Sequence, residues 1–157
     1  MRSLRHRRVR HCTNQRGTNF APKFQCLNKL QSMKRVLIVD DDPNTLGFLK
    51  IAFSAEGIEP ILSGHPLDAF KKVQEHSPDL VISDVMMPIM DGIELCALVR
   101  AIRDVPVVLI TAAEDLGRQK PIWDRCFHKP LNIPELLVTV KQLLADADKP
   151  DPRSARH

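Results

Sequence analysis

Long apolar runs are missing from this chain. None reaches the roughly 18 consecutive residues that a membrane-spanning helix needs, so the sequence holds no candidate span and no membrane partner is expected. Paired cysteines are missing too. Cys12, Cys26, Cys96 and Cys126 stand 14, 70 and 30 residues apart, with no CxxC motif. That spacing excludes a disulfide-stapled scaffold and a structural zinc site. Scattered thiols of this kind suit a reducing compartment, and the cytoplasm is the expected location. Aromatic residues are scarce at 4%. What is present suffices for one domain with tails: of 157 residues, 43% are hydrophobic and 27% charged, enough for a core and too apolar for wholesale disorder.

Acidic residues are absent from the first 35 positions, which carry ten Lys and Arg. The remaining positions hold 13 Lys and Arg against all 19 acids, a balance of −6. The isoelectric point near 9.0 therefore describes the leading segment, and whole-chain charge is no argument for nucleic-acid binding by the rest. Residues 1–32 lack the apolar stretch of a secretory signal and show no defensible periodicity. They read as a basic, disordered extension, or as upstream sequence before a start at Met33. An organelle transit peptide or a basic arm touching nucleic acid or anionic lipid shares that composition.

From Met33 the pattern alternates. Val36–Val39 is a short apolar run, as in a strand buried on both faces. Asp42-Pro43 predicts a helix start, with Asp as N-cap and Pro at the first helical position, and Gly57 ends that helix. Ile58–Leu62 reads as a strand, Pro66–His76 as a helix, Leu80–Ser83 as a strand and Asp91–Arg103 as a helix. Val107–Ile110 is a fourth strand. Glu114–Lys120 is poorly patterned and holds at most a stub of helix, and Trp123–Phe127 is a weak fifth strand. Asn132 caps a last helix, with Glu135 at capping-box spacing and an apolar stripe from Ile133 to Leu144. Beyond Ala145 no pattern remains, so 146–157 is expected to be a disordered tail and 33–145 the domain. This is an α/β pattern, a parallel sheet with helices on both faces.

In such folds, sites gather beyond the carboxyl ends of the strands. Asp40-Asp41-Asp42 follows the first strand, Asp84 the third, Thr111 the fourth and Lys129 the fifth. Nothing reactive follows the second. Clustered carboxylates repel unless a cation or protons intervene, and all-oxygen donors favour a hard ion such as Mg²⁺. A lysine and a hydroxyl suit phosphoryl oxygens, and an Asp in their company can be a phosphoryl-accepting nucleophile. Two other acidic motifs fail. An EF-hand loop starting at Asp40 would have Thr45 in place of its Gly and Ile51 in place of its final Glu. A DxDx[TV] phosphatase motif would have Asn44 at its last position.

The segments VLIVDDDP (36–43), DLVISDVMMPIMDG (79–92), VPVVLITA (105–112) and HKP (128–130) resemble the response-regulator receiver domain of two-component signalling. The resemblance implies a flavodoxin-like, doubly wound sheet of strand order 2-1-3-4-5. It implies that Asp84 is the phospho-acceptor and that Asp40, Asp41, Asp84 and the backbone carbonyl of Met86 hold Mg²⁺. Thr111 is then the switch hydroxyl and Lys129 the phosphoryl-contacting lysine, with a cis Lys129-Pro130 peptide common in the family. Met86 and Ala113 are the positions whose side chains place or block the attacking water. The implied donor is a sensor histidine kinase or a histidine phosphotransfer protein. Output is expected to pass through a protein partner, with no direct nucleic-acid contact by the domain and no enzyme activity beyond its own phosphorylation and dephosphorylation. Two departures stand out. Cys126 occupies the switch position where the family has an aromatic, and the interval from Thr111 to Lys129 is short, at the expense of the family's fourth helix. They leave a second reading open, a phosphorylation-independent docking module. A flavin-binding relative of the fold is excluded by the lack of a Ser/Thr/Gly-rich phosphate loop after the first strand and by the few aromatics. Cys96 reads as core, His128 as surface, and Met87 and Met90 as filler.

Overall fold

The computed structural model describes residues 33–113 and 121–149. The expectations for the basic segment 1–32, for a helical stub at 114–120 and for the tail from residue 150 lie outside the described residues. The elements run β1 (Arg35–Val39), α1 (Pro43–Ala55), β2 (Glu59–Ser63), α2 (Pro66–His76), β3 (Leu80–Asp84), α3 (Gly92–Ile102), β4 (Val107–Thr111), β5 (Arg125–His128) and α4 (Ile133–Ala147). Every strand pair is parallel, in the order β2-β1-β3-β4-β5. This is the expected flavodoxin-like sheet with helices on both faces.

Strand geometry sends alternate side chains to opposite faces, and the central strands use both. Val36 and Ile38 of β1, with Leu80 and Ile82 of β3, pack under α1 and α4 against Leu49, Phe53, Leu136 and Val140. Leu37 and Val39, with Val81 and Leu109, pack under α2 and α3 against Ala69, Val73, Leu95 and Val99. Cys96 belongs to this second cluster, as expected of a core thiol, and Trp123 packs against it half-buried.

The helix starts obey local chemistry. Asp42 accepts the N–H groups of Asn44 and Thr45, Asp91 forms a reciprocal capping box with Glu94, and Asn132 accepts the Glu135 N–H. Two strands begin later than the apolar pattern suggests, each for a physical reason. Gly57, at φ 72°, closes α1 by donating to Ser54, while the Ile58 N–H donates to the Phe53 carbonyl at 3.1 Å. That is a Schellman turn, and it keeps Ile58 in the cap, so β2 opens at Glu59. Before β5, Arg100 of α3 holds the chain. Its Nε donates to the Ile122 carbonyl at 3.2 Å and its Nη2 to Asp124 at 2.5 Å. Asp124 in turn accepts the Val107 N–H at 2.7 Å. The segment 122–124 is thereby turned against α3 and β4, and pairing starts at Arg125. At the other end α4 continues past Ala145 to Ala147, and Asp148 takes a 2.6 Å bond from Lys34.

Candidate functional site

Four strands deliver polar residues to the same edge of the sheet, and the register explains why. Val39 stands opposite Ser83, Asp84 opposite Ile110, and Thr111 opposite His128. The residues at or just beyond these last rungs are Asp40, Asp41, Asp84, Thr111 and Lys129. Sheet hydrogen bonds run on past the strands: Lys129 N–H donates to the Thr111 carbonyl at 2.8 Å, and Val85 N–H to the Ile110 carbonyl at 2.8 Å. The Lys129-Pro130 peptide is cis.

The carboxylates of Asp40, Asp41 and Asp84 each offer an oxygen within 4.8 Å of the others. Asp40 is 1% and Asp84 4% exposed, and Thr111 is fully buried, whereas Asp41 is open to solvent. Lys129 Nζ lies 2.6 Å from Asp84 Oδ2 and 3.2 Å from Asp40 Oδ2. The free oxygens are engaged by backbone. Asp40 Oδ1 accepts the Asp42 N–H at 2.8 Å, and Asp84 Oδ1 accepts the Met86 N–H at 3.0 Å. Thr111 Oγ1 accepts the Ala113 N–H at 2.9 Å, leaving its hydroxyl proton available to a ligand.

Burial pushes the Asp40 carboxyl up from its ordinary value, against the opposing pull of the Asp42 N–H and the Lys129 ammonium. For Lys129, burial works to lower the pKa, and the hydrogen bonds to Asp84 and Asp40 overcome it, so the ammonium is held charged. A pocket of three crowded carboxylates and one charged amine carries an excess of negative charge that a cation would offset. Its donors are all oxygen, which fits Mg²⁺ and disfavours zinc.

All five polar residues expected at the site are brought together. Met86 contributes its N–H to Asp84, while its side chain is 63% exposed. Cys126 is half-buried against the cluster under α2 and α3, and burial pushes its thiol up. His128 is exposed, as expected. Gly92, which the resemblance marks in the loop after Asp84, lies so close to the Asp84 main chain that it has no room for a side-chain carbon. Two contributors escaped sequence reasoning. Ile89, a β-branched residue, sits at φ 75° in the loop after Asp84, where backbone strain accumulates. Ser63, at the end of β2, accepts the Asp40 N–H on its carbonyl at 3.2 Å, so the second strand does serve the site.

Residues 36–141 match the response regulator receiver domain family. The chain is 37% identical over 123 residues to the DNA-binding response regulator MtrA of Mycolicibacterium smegmatis, covering 74% of this chain and 54% of that protein. It is 33% identical to the heme response regulator HssR of Staphylococcus saprophyticus, covering 71% and 52%. The chain thus spans about half the length of these curated relatives. Among solved structures, a CheY-like receiver domain protein from Methanospirillum hungatei superposes with a TM-score of 0.69 at 27% identity, covering 74% of this chain and 98% of that one. The response regulator TrrA of Thermotoga maritima, solved in complex with Mg²⁺-BeF, superposes with a TM-score of 0.64 at 35% identity, covering 71% and 99%.

Proposed function

The chain belongs to the response regulator receiver domain family, and from that premise we propose that it accepts a phosphoryl group on Asp84 from a histidine kinase or a histidine phosphotransfer protein. The observation that carries the reading is the position of the Lys129 amine, 2.6 Å from an Asp84 carboxylate that shares its pocket with two more acids. Asp40, Asp41, Asp84 and the Met86 carbonyl are the oxygens that would hold Mg²⁺. When bound, the ion offsets the carboxylate charge and the charge developing on the phosphoryl oxygens.

The chain's own residues do the remaining work. An Asp84 oxygen attacks phosphorus in line with the phosphohistidine bond. The new O–P bond forms as the P–N bond breaks, and the leaving imidazole takes up a proton. Asp84 loses its charge in becoming an acyl phosphate. The Lys129 ammonium is then released from the carboxylate to a phosphoryl oxygen, and the Thr111 hydroxyl is placed to donate to another.

In this reading residues 33–145 form the receiver domain, with the helix carrying on two residues beyond. The setting is cytoplasmic, and the signal leaves through a downstream protein. No described helix is long and apolar enough to cross a membrane. The DNA-binding activity named for MtrA belongs to a protein about twice the span matched here, and the receiver domain is not proposed to contact nucleic acid. The test is incubation with acetyl phosphate and Mg²⁺ followed by intact mass. A single phosphoryl increment, absent in Asp84→Asn, is expected, and full labelling of that variant refutes the assignment.

A further inference from the structure

Asp40 leaves β1 with one main-chain bond to its neighbour strand, its N–H donating to the Ser63 carbonyl. Ser63 is itself 2% exposed and does not stand alone. Its hydroxyl lies 2.6 Å from Asp68 Oδ2 on the first turn of α2, and 2.9 Å from the His65 carbonyl. Lys72, one turn further along α2, reaches the same Asp68 oxygen at 2.6 Å and the Leu62 carbonyl at 2.7 Å. Gly64 abuts Asp40 as well: a Cβ there would stand 3.9 Å from the Asp40 carbonyl oxygen. Two successive residues at the end of β2 are thus tied to one linked pair on α2. Leu62 is held by the Lys72 ammonium, and Ser63 is held through its own hydroxyl while its carbonyl grips Asp40.

Side chains behind a ligand fix its orientation and so its affinity. From this chain of bonds we propose that Asp68 and Lys72 are positioning residues for the Asp40 carboxylate, acting through Ser63, and that they set the site's affinity for a divalent cation. The proposal rests on the reading of Asp40, Asp41 and Asp84 as a Mg²⁺ site. It extends that site to α2, whose side chains touch none of the three acids. Loosening the β2–α2 junction loosens the Ser63 rung that fixes the Asp40 backbone, and leaves the carboxylate to its bonds with the Asp42 N–H and the Lys129 ammonium.

The full-length chain serves for the test, in calorimetric titration with Mg²⁺ and in amide hydrogen exchange. Asp68 and Lys72 are partly exposed, at 45% and 28%, so their substitution leaves the fold standing. Asp68→Ala and Lys72→Met should each weaken Mg²⁺ binding about tenfold, the low end for groups behind a ligand, and should speed exchange of the Asp40 amide. Lys72→Arg should restore both. Lys71→Ala removes an exposed pair with Glu75 on the same helix and should change neither. The double variant Ser63→Ala, Asp68→Ala should bind no more weakly than Asp68→Ala alone, because both act along one path. Parent affinity in Asp68→Ala and Lys72→Met overturns the proposal even if both lose thermal stability. A parent chain that binds no Mg²⁺ overturns the metal site and the proposal with it, a result distinct from the first.

Discussion

A side-chain carbon on Gly92 would lie 2.2 Å from the carbonyl oxygen of Asp84 and 2.9 Å from its carbonyl carbon. No real Cβ fits there, and the obstacle is backbone. Gly92 is the first residue of α3, and its N–H donates to the Val85 carbonyl at 3.0 Å. The glycine therefore lets a helix begin directly against the strand end that presents Asp84. Gly92→Ala should cost about 3 kcal/mol, the upper end for overpacking. It should also slow labelling at Asp84, because relief of the clash moves the strand end. Urea unfolding and acetyl-phosphate labelling measure the two effects, and parent-like values in both would refute the fit.

Burial raises the pKa of the Asp40 carboxyl despite the opposing pull of the Asp42 N–H and the Lys129 ammonium. A carboxylic acid whose folded pKa is raised binds its proton more tightly in the native state. Its contribution to stability is therefore full below the unfolded pKa near 3.8 and is lost as the pH rises through the higher folded value. At pH 7 and without divalent ions the ionised group costs stability. Asp40→Asn keeps an acceptor for the Asp42 N–H and removes the charge. Its melting temperature in chelator should exceed the parent's at pH 7, with the gap closing toward pH 4. A lower melting temperature at pH 7 would show that the Lys129 pair outweighs desolvation.

Given the proposed phosphorylation of Asp84, the lifetime of that form is expected to depend on Met86 and Ala113. Their N–H groups already serve Asp84 and Thr111, and neither side chain can hydrogen-bond a water. Met86, largely exposed beside the nucleophile, is free to cover the phosphoryl group. Loss of water positioning commonly costs ~10²-fold in rate. Dephosphorylation without a partner should be slow, and Met86→Asn with Ala113→Glu should accelerate it. Phosphate release over time is the measurement, and equal decay in parent and variant rejects the explanation.

Arg100 ties α3 to the chain entering β5 by its bonds to Ile122 and Asp124. Its contacts lie at the strands' amino ends, away from Asp84. Arg100→Ala should lower stability by about 1–2 kcal/mol, the range for lost charge-assisted bonds on partly exposed groups, while Asp84 labelling persists. Urea unfolding and intact mass report on each. Loss of labelling in a folded variant would mean that the clamp reaches the site.

Much of this molecule is legible in its residues because the signals are local. The apolar run Val36–Val39 has the length and content of a strand buried on both faces, and Asp42-Pro43 pairs an N-cap with a first-turn proline. The placement of the polar residues reads from the same pattern, since those at the carboxyl ends of neighbouring parallel strands converge, whereas their roles come from the family resemblance. What escapes notice depends on distant partners. Ile58 looks like strand until the Phe53 carbonyl claims its N–H, and Trp123 does until Arg100 turns the chain beside it. Ser63 looks inert because it serves Asp40 with a backbone carbonyl, which no residue type announces. Ile89 gives no warning of its positive φ, for nothing about isoleucine favours it.

The sheet also keeps its two cores apart. Along β1, Val36 and Ile38 meet α1 and α4, while Leu37 and Val39 meet α2 and α3, and the two clusters share no buried residue. Substitutions in separate clusters should therefore combine additively. A helical layer can thus be repacked on one face while the other keeps its contacts, and the central strands between them are the elements that carry residues of both clusters.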